Sequence, residues 1–207
     1  MIEVKNRWES FVNGLAERGV AWSDDAFEAS EITALIEVFE AWREADAFRK
    51  AEIGNLGSEQ VDKNIRGDYI KWIEPDHARP ATHDLLEKLH ELRVYLNQTL
   101  YLGLRDLELH FAVYPTGTHY ARHRDQFQGT SYRRVSMVLY LNTDWQPGDG
   151  GELFIVDAHE NTLTIEPIAG RLVLFMSELE HEVFVTNRER KSLTGWMRDL
   201  PAGINFL

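Results

Sequence analysis

His123 and Asp125 stand two residues apart, His181 lies far downstream, and Arg190 follows a little after it. Two imidazoles and one carboxylate can bind one face of a divalent iron and leave the opposite face open for chemistry. A purely structural metal site has no need of a nearby arginine, whereas a guanidinium suits a carboxylate co-substrate. The chemistry implied is that of a non-haem iron(II) centre with a 2-oxo acid beside it.

Strand geometry accounts for the spacing. Residues i and i+2 point to the same face of a strand, so His123 and Asp125 can leave the end of one strand together, with His181 brought across from a distant segment. Parity also sorts the last strand. Arg190, Ser192, Thr194 and Trp196 share one face; Lys191, Leu193, Gly195 and Met197 share the other. If the first face looks into a pocket, Arg190 is the carboxylate partner, Ser192 or Thr194 adds a hydroxyl, and Trp196 forms a wall. Lys191 is the competing candidate, and it requires the opposite face to point inward. His110 and His119 read as packed or surface histidines, because no fourth protein ligand is needed.

The elements that must position these groups fall into two halves. Ile32, Leu35, Ile36, Phe39 and Trp42 make an apolar stripe on one helix face, and Leu85, Leu89, Leu92, Leu96 and Leu100 make another after Pro80 and Thr82. Between them, residues 53–68 carry three glycines and scattered charge and read as a long loop, expected to close over the substrate. Residues 69–73 read as a strand. From Leu107 onward short strands alternate with turns, near 107–114, 118–124, 133–142, 151–157, 161–166, 171–176, 182–186 and 191–198, with Gly150-Gly151 as a tight turn. This pattern predicts a mainly β protein in which a jelly-roll core, about 105–199, is covered on one sheet face by a helical N-terminal part, about 1–104. Residues 1–207 are expected to form a single domain.

Composition narrows the function. The 207 residues contain no cysteine, which removes disulfides, thiolate nucleophiles, zinc–cysteine sites and iron–sulfur clusters. Any metal must sit on nitrogen and oxygen. The net charge of −12 disfavours a nucleic-acid backbone as partner. No apolar run reaches the length of a membrane helix, and no signal peptide opens the chain, so a cytoplasmic protein is expected.

The ordered set Tyr114-Pro115, Tyr120-Ala121-Arg122-His123-Arg124-Asp125, Tyr140-Leu141-Asn142, Gly150-Gly151-Glu152-Leu153, His181-Glu182-Val183 and Arg190 through Trp196 resembles the 2-oxoglutarate oxygenases of the prolyl 4-hydroxylase superfamily. It is most similar to the branch of the hypoxia-sensing prolyl hydroxylases and their bacterial relatives, to which Arg66 through Ile73 also corresponds. The gap from Tyr114 to Tyr120 is one residue shorter than in the animal sensors. The resemblance implies a double-stranded β-helix, cupin-like, with iron(II) held by His123, Asp125 and His181. It implies 2-oxoglutarate bound by Arg190 and Tyr140, with Tyr114 and Thr194 as further cofactor contacts and Tyr120, Leu153 and Trp196 around the substrate. O₂ is the second co-substrate and ascorbate a reductant. Hydroxylation of a prolyl residue in a protein or peptide is the implied reaction, with release of succinate and CO₂ and no catalytic residue beyond the metal centre. The partner is then a protein or peptide substrate, and the enzyme a monomer or weak oligomer. The alternatives are the same chemistry on a small metabolite or free amino acid, and a non-catalytic binding module.

Overall fold

The computed structural model describes residues 7–51, 66–74, 79–126 and 132–200. Among the described residues three helices, α1 (Glu9–Arg18), α2 (Ala29–Glu44) and α3 (Pro80–Leu100), accompany eleven strands. In chain order these are β1 (Val20–Ser23), β2 (Arg49–Lys50), β3 (Tyr69–Trp72), β4 (Asp106–Tyr114), β5 (Tyr120–His123), β6 (Arg133–Tyr140), β7 (Leu153–Val156), β8 (Thr162–Ile165), β9 (Leu172–Met176), β10 (His181–Val183) and β11 (Arg190–Arg198). Among the described residues they form a seven-stranded sheet in the order β1-β9-β6-β11-β4-β3-β2 and a four-stranded sheet in the order β5-β10-β7-β8. All the pairings are antiparallel, as in a double-stranded β-helix.

The helices begin and end where local chemistry allows. Glu28 and Glu31 form a reciprocal capping box at the start of α2. Pro80 opens α3, where its missing N–H costs nothing. Gly19 closes α1 at φ 75°, a left-handed conformation that glycine adopts freely. The two apolar stripes read from the sequence face inward: Ile32, Leu35 and Phe39 from α2, and Leu85, Leu89, Leu92 and Leu96 from α3, are all buried.

Their partners are one face of the large sheet, including Leu109 and Phe111 of β4, Met137 and Leu139 of β6, and Leu193 and Met197 of β11. The alternate residues of the same strands, such as Ala112, Tyr114, Val138 and Tyr140, pack instead toward Leu153, Ile155 and Val183 of the small sheet. The large sheet is therefore covered on both sides, which explains why β6 reads as an almost continuous apolar run.

The expected helical half is not purely helical. It also contributes β1, β2 and β3, which extend the large sheet at both edges. β3 was expected over 69–73 and ends at Trp72. β1 and β2 have four and two residues, too few to show a period of two. The α1 helix likewise follows from packing, through buried Phe11 and Leu15. Of the loop expected over 53–68, only residues 66–68 are described; the remainder and its expected closure lie outside the described residues.

Candidate metal centre and pocket

The small sheet brings the two histidines together. β5 and β10 pair antiparallel with His181 opposite His123, and Asp125 follows two residues beyond His123. One ligand atom from each of the three side chains lies within 4.8 Å of the other two. His123 Nε2 is 3.6 Å from Asp125 Oδ1, and His181 Nε2 is 3.5 Å from Asp125 Oδ2. The other ring nitrogens are already committed: His123 Nδ1 donates to the Ala121 carbonyl at 2.7 Å, and His181 Nδ1 to the Leu179 carbonyl at 3.0 Å. That arrangement fixes the tautomer and turns both Nε2 lone pairs toward the carboxylate, as a metal ligand requires.

The electrostatics agree. Burial pushes the His181 imidazole down to about 4, against the pull of Asp125, so it is neutral at physiological pH. Burial alone would raise the Asp125 carboxyl, but His181, His123 and the Ser136 hydroxyl outweigh it and hold the group ionised well below the ordinary range. Two imidazoles and one carboxylate are a donor set that fits a divalent cation.

The large sheet supplies the facing wall. Ser136 Oγ on β6 donates to Asp125 Oδ2 at 2.7 Å and bonds Ser177 Oγ at 2.9 Å, tying the carboxylate to the opposite sheet. On β11 the predicted parity holds: Leu193 and Met197 face the helices, while Arg190, Thr194 and Trp196 line the cavity with the three candidate ligands. Lys191 points to the helix side and pairs with Glu40 of α2. The choice between the two basic residues is thus made by the face on which each lies.

Arg190 is buried, yet no carboxylate among the described residues pairs with it. Its Nε donates to the Gly151 carbonyl at 2.9 Å and its Nη1 to Ser192 Oγ at 3.3 Å, leaving donors of the fork over. The guanidinium carbon lies 4.9 Å from the Tyr114 ring centroid and 5.0 Å from that of Tyr140. The Tyr140 hydroxyl is buried and has no hydrogen-bond partner among the described residues. A buried, unneutralised cation beside an unsatisfied hydroxyl is costly unless an anion completes the site. These residues fit the distal carboxylate of a dicarboxylic acid.

The other residues named from the sequence are placed as follows. Tyr120 stacks on His123 with ring centroids 3.6 Å apart, Leu153 lines the cavity from β7, and Trp196 is buried in its wall. Tyr114 and Thr194 line it too, and Tyr140 lies beside Arg190, its ring centroid 5.0 Å from the guanidinium carbon. Sequence reasoning gave no role to Ser136, Arg66 or Asp68. The lone serine among apolar residues of β6 was the available signal for the first. Arg66 and Asp68 form a bidentate ion pair on the cavity wall, with Arg66 Nε 2.6 Å from Asp68 Oδ1 and its guanidinium 4.8 Å from the Tyr120 ring. Nothing in the local sequence separates that pair from solvated loop charges.

Residues 109–198 match the family model of the 2OG-Fe(II) oxygenase superfamily. A crystal structure of a Pseudomonas putida prolyl-4-hydroxylase superposes with a TM-score of 0.86 at 40% sequence identity, covering 94% of this chain and 100% of that one. The chain belongs to the 2OG-Fe(II) oxygenase superfamily. This oxygenase is also similar to a prolyl hydroxylase from Trichoplax adhaerens, solved with a hypoxia inducible factor oxygen degradation domain peptide fragment, at 26% identity and a TM-score of 0.83 over 93% of this chain and 89% of that one. Human Egl nine homolog 1 is 33% identical over 156 residues, which are 70% of this chain and 36% of that protein. The oxygenase thus spans about a third of the length of that curated relative. Its family is one of iron(II)- and 2-oxoglutarate-dependent oxidoreductases, prolyl hydroxylase-like in this case.

Proposed function

We propose that this oxygenase hydroxylates a prolyl residue in a protein or peptide, with iron(II) held by His123, Asp125 and His181 and 2-oxoglutarate anchored by Arg190. The observation that carries the reading is the pairing, in one cavity, of three converging metal-ligand atoms with a buried guanidinium that has no carboxylate partner among the described residues. The prolyl substrate is supported by the similarity to the Pseudomonas putida and Trichoplax adhaerens enzymes. The oxygenase is proposed to act as one domain and in the cytoplasm, where 2-oxoglutarate and reduced iron are supplied.

When bound, the iron and 2-oxoglutarate supply the oxidising chemistry, with O₂ as oxidant and succinate and CO₂ as products. The protein's own residues bind, orient and shield. Arg190 offers its fork to the distal carboxylate, and Tyr140 donates its hydroxyl to the same group. Burial pushes the Tyr140 phenol up despite the neighbouring Arg190 charge, so it keeps the proton it donates. Thr194 Oγ1, 3.3 Å from Ser192 Oγ, continues the polar line from Arg190 toward the metal ligands. Tyr120, Leu153 and Trp196 wall the space in which a prolyl ring would lie, and their apolar surfaces keep water from the reacting carbon.

The test has two stages. Anaerobic addition of iron(II) and 2-oxoglutarate should give the weak visible charge-transfer band of a chelated keto acid, lost in Asp125→Ala and weakened in Arg190→Ala. Prolyl peptides incubated with the complete system should then gain one oxygen by mass spectrometry. Turnover of 2-oxoglutarate with no oxygen on any prolyl peptide would overturn the substrate assignment while keeping the cofactor one.

A further inference from the structure

His110 lies on the cavity wall, 1% exposed, and neither ring nitrogen has a hydrogen-bond partner among the described residues. Leaving a buried polar group unmade costs about 1–3 kcal/mol, so two such atoms on one ring call for a partner that enters the cavity. The ring packs against two indoles, 4.8 Å from Trp72 and 5.4 Å from Trp196 between centroids. Trp72 is half-exposed and Trp196 buried, and with their own centroids 6.4 Å apart the two indoles pack on adjacent sides of the imidazole.

Register places that ring. Along the β4–β11 ladder Arg190 is opposite Tyr114, Ser192 opposite Ala112, and Thr194 opposite His110. His110 therefore shares a face with Tyr114 but sits four residues away, roughly 13 Å along the strand. The metal ligands lie at the same end as His110. Ser136, which holds Asp125, is the cross-strand partner of Trp196, the next residue on that face of β11 beyond Thr194. A dicarboxylate with its far end on Arg190 and its near end at the metal ligands runs along this wall toward the end on which His110 lies. Burial, with the Arg66 and Arg133 charges nearby, keeps the imidazole neutral against the weaker pull of Asp125. A neutral ring has one N–H to give.

We propose that His110 donates a hydrogen bond to the metal-side carboxylate of bound 2-oxoglutarate, and so sets how the keto acid lies between Arg190 and the iron. His110 is in that sense a positioning residue, and the inference rests on the iron and 2-oxoglutarate assignment above. The near carboxylate leaves as CO₂ in the reaction, so this contact distinguishes 2-oxoglutarate from succinate, whereas the Arg190 contact does not.

The experiment is an anaerobic titration of iron(II)-loaded wild type, His110→Met and His110→Gln with 2-oxoglutarate, followed through the charge-transfer band, and with succinate as competitor. Expected is equal iron binding in all three and about a ten-fold weaker affinity for 2-oxoglutarate in His110→Met, with a displaced band. His110→Gln, which can still donate, should recover most of both, and succinate affinity should not change. Unchanged 2-oxoglutarate affinity and band position in His110→Met would overturn the proposal, as would an equal loss for succinate. Absence of the band in wild type would instead overturn the cofactor assignment, and this proposal with it. If the variants do not fold, a crystal structure of wild type with manganese(II) and 2-oxoglutarate decides. A His110 ring nitrogen within about 3.2 Å of the metal-side carboxylate supports the contact, and a separation beyond about 3.5 Å removes it.

Discussion

Ser136 shows how much of a metal centre sits outside its ligands. Its hydroxyl fixes one oxygen of Asp125 and is itself braced by Ser177, so the carboxylate is oriented before any metal arrives. Removing such an outer partner typically weakens metal affinity about 10–100-fold. Ser136→Ala should therefore raise the iron(II) dissociation constant by about that factor in an anaerobic titration while leaving the fold intact. Gly151 plays the matching part for Arg190. At φ 77° it accepts the Arg190 Nε bond through its carbonyl, and an added Cβ would sit 2.9 Å from Arg190 Cδ and 3.0 Å from Thr186 Cγ2. Gly151→Ala combines a left-handed backbone with a displaced guanidinium, so about 1–3 kcal/mol of stability should be lost. The KM for 2-oxoglutarate should rise with it. A lower melting temperature with an unchanged KM would mean that Arg190 is not the anchor.

At the scale of elements, β11 divides stability from chemistry by parity. Leu193 belongs to the core under the helices, and Leu193→Ala should cost about 2–5 kcal/mol in denaturant unfolding with 2-oxoglutarate affinity retained in the folded protein. Lys191 is on the same face but at its edge, in a partly exposed pair with Glu40. Lys191→Ala should therefore change stability by less than about 1 kcal/mol and leave the KM for 2-oxoglutarate unaltered, in contrast to Arg190→Ala. The same parity was readable in the sequence, as were α2 and α3 from their apolar stripes and the eight later strands from their alternation with turn signals. What escaped notice was short or contextual. β1 and β2 are edge strands defined by their neighbours. Asp68 reads as a loop acid, yet it is fully buried and ion-paired with Arg66. His110 was expected to be packed or on the surface; it is buried, and only the fold reveals that its nitrogens meet nothing among the described residues.

On the scale of the whole molecule, the candidate ligands come from both sheets. His123 and His181 belong to β5 and β10 of the small sheet, Arg190 to β11 of the large one, and Asp125 is linked to the large sheet through Ser136. Between the sheets the apolar packing is interrupted by this polar cluster, which without its ligands holds a buried cation and unsatisfied donors. Metal and 2-oxoglutarate would therefore act as a staple between two layers otherwise joined by apolar packing and by polar links such as Ser136–Asp125. A ligand present at 100 times its dissociation constant stabilises the folded state by about 2.7 kcal/mol. For a chain of this size that corresponds to a rise in melting temperature of about 5–10 °C. Manganese(II) and 2-oxoglutarate together should produce such a rise, reversed by a chelator, with 2-oxoglutarate alone giving much less because its keto-acid end would be left without the metal. Asp125→Ala should abolish the metal-dependent part and Arg190→Ala only the part added by 2-oxoglutarate. Equal shifts in all three proteins would mean that the ligands bind elsewhere and that the sheets hold together without them.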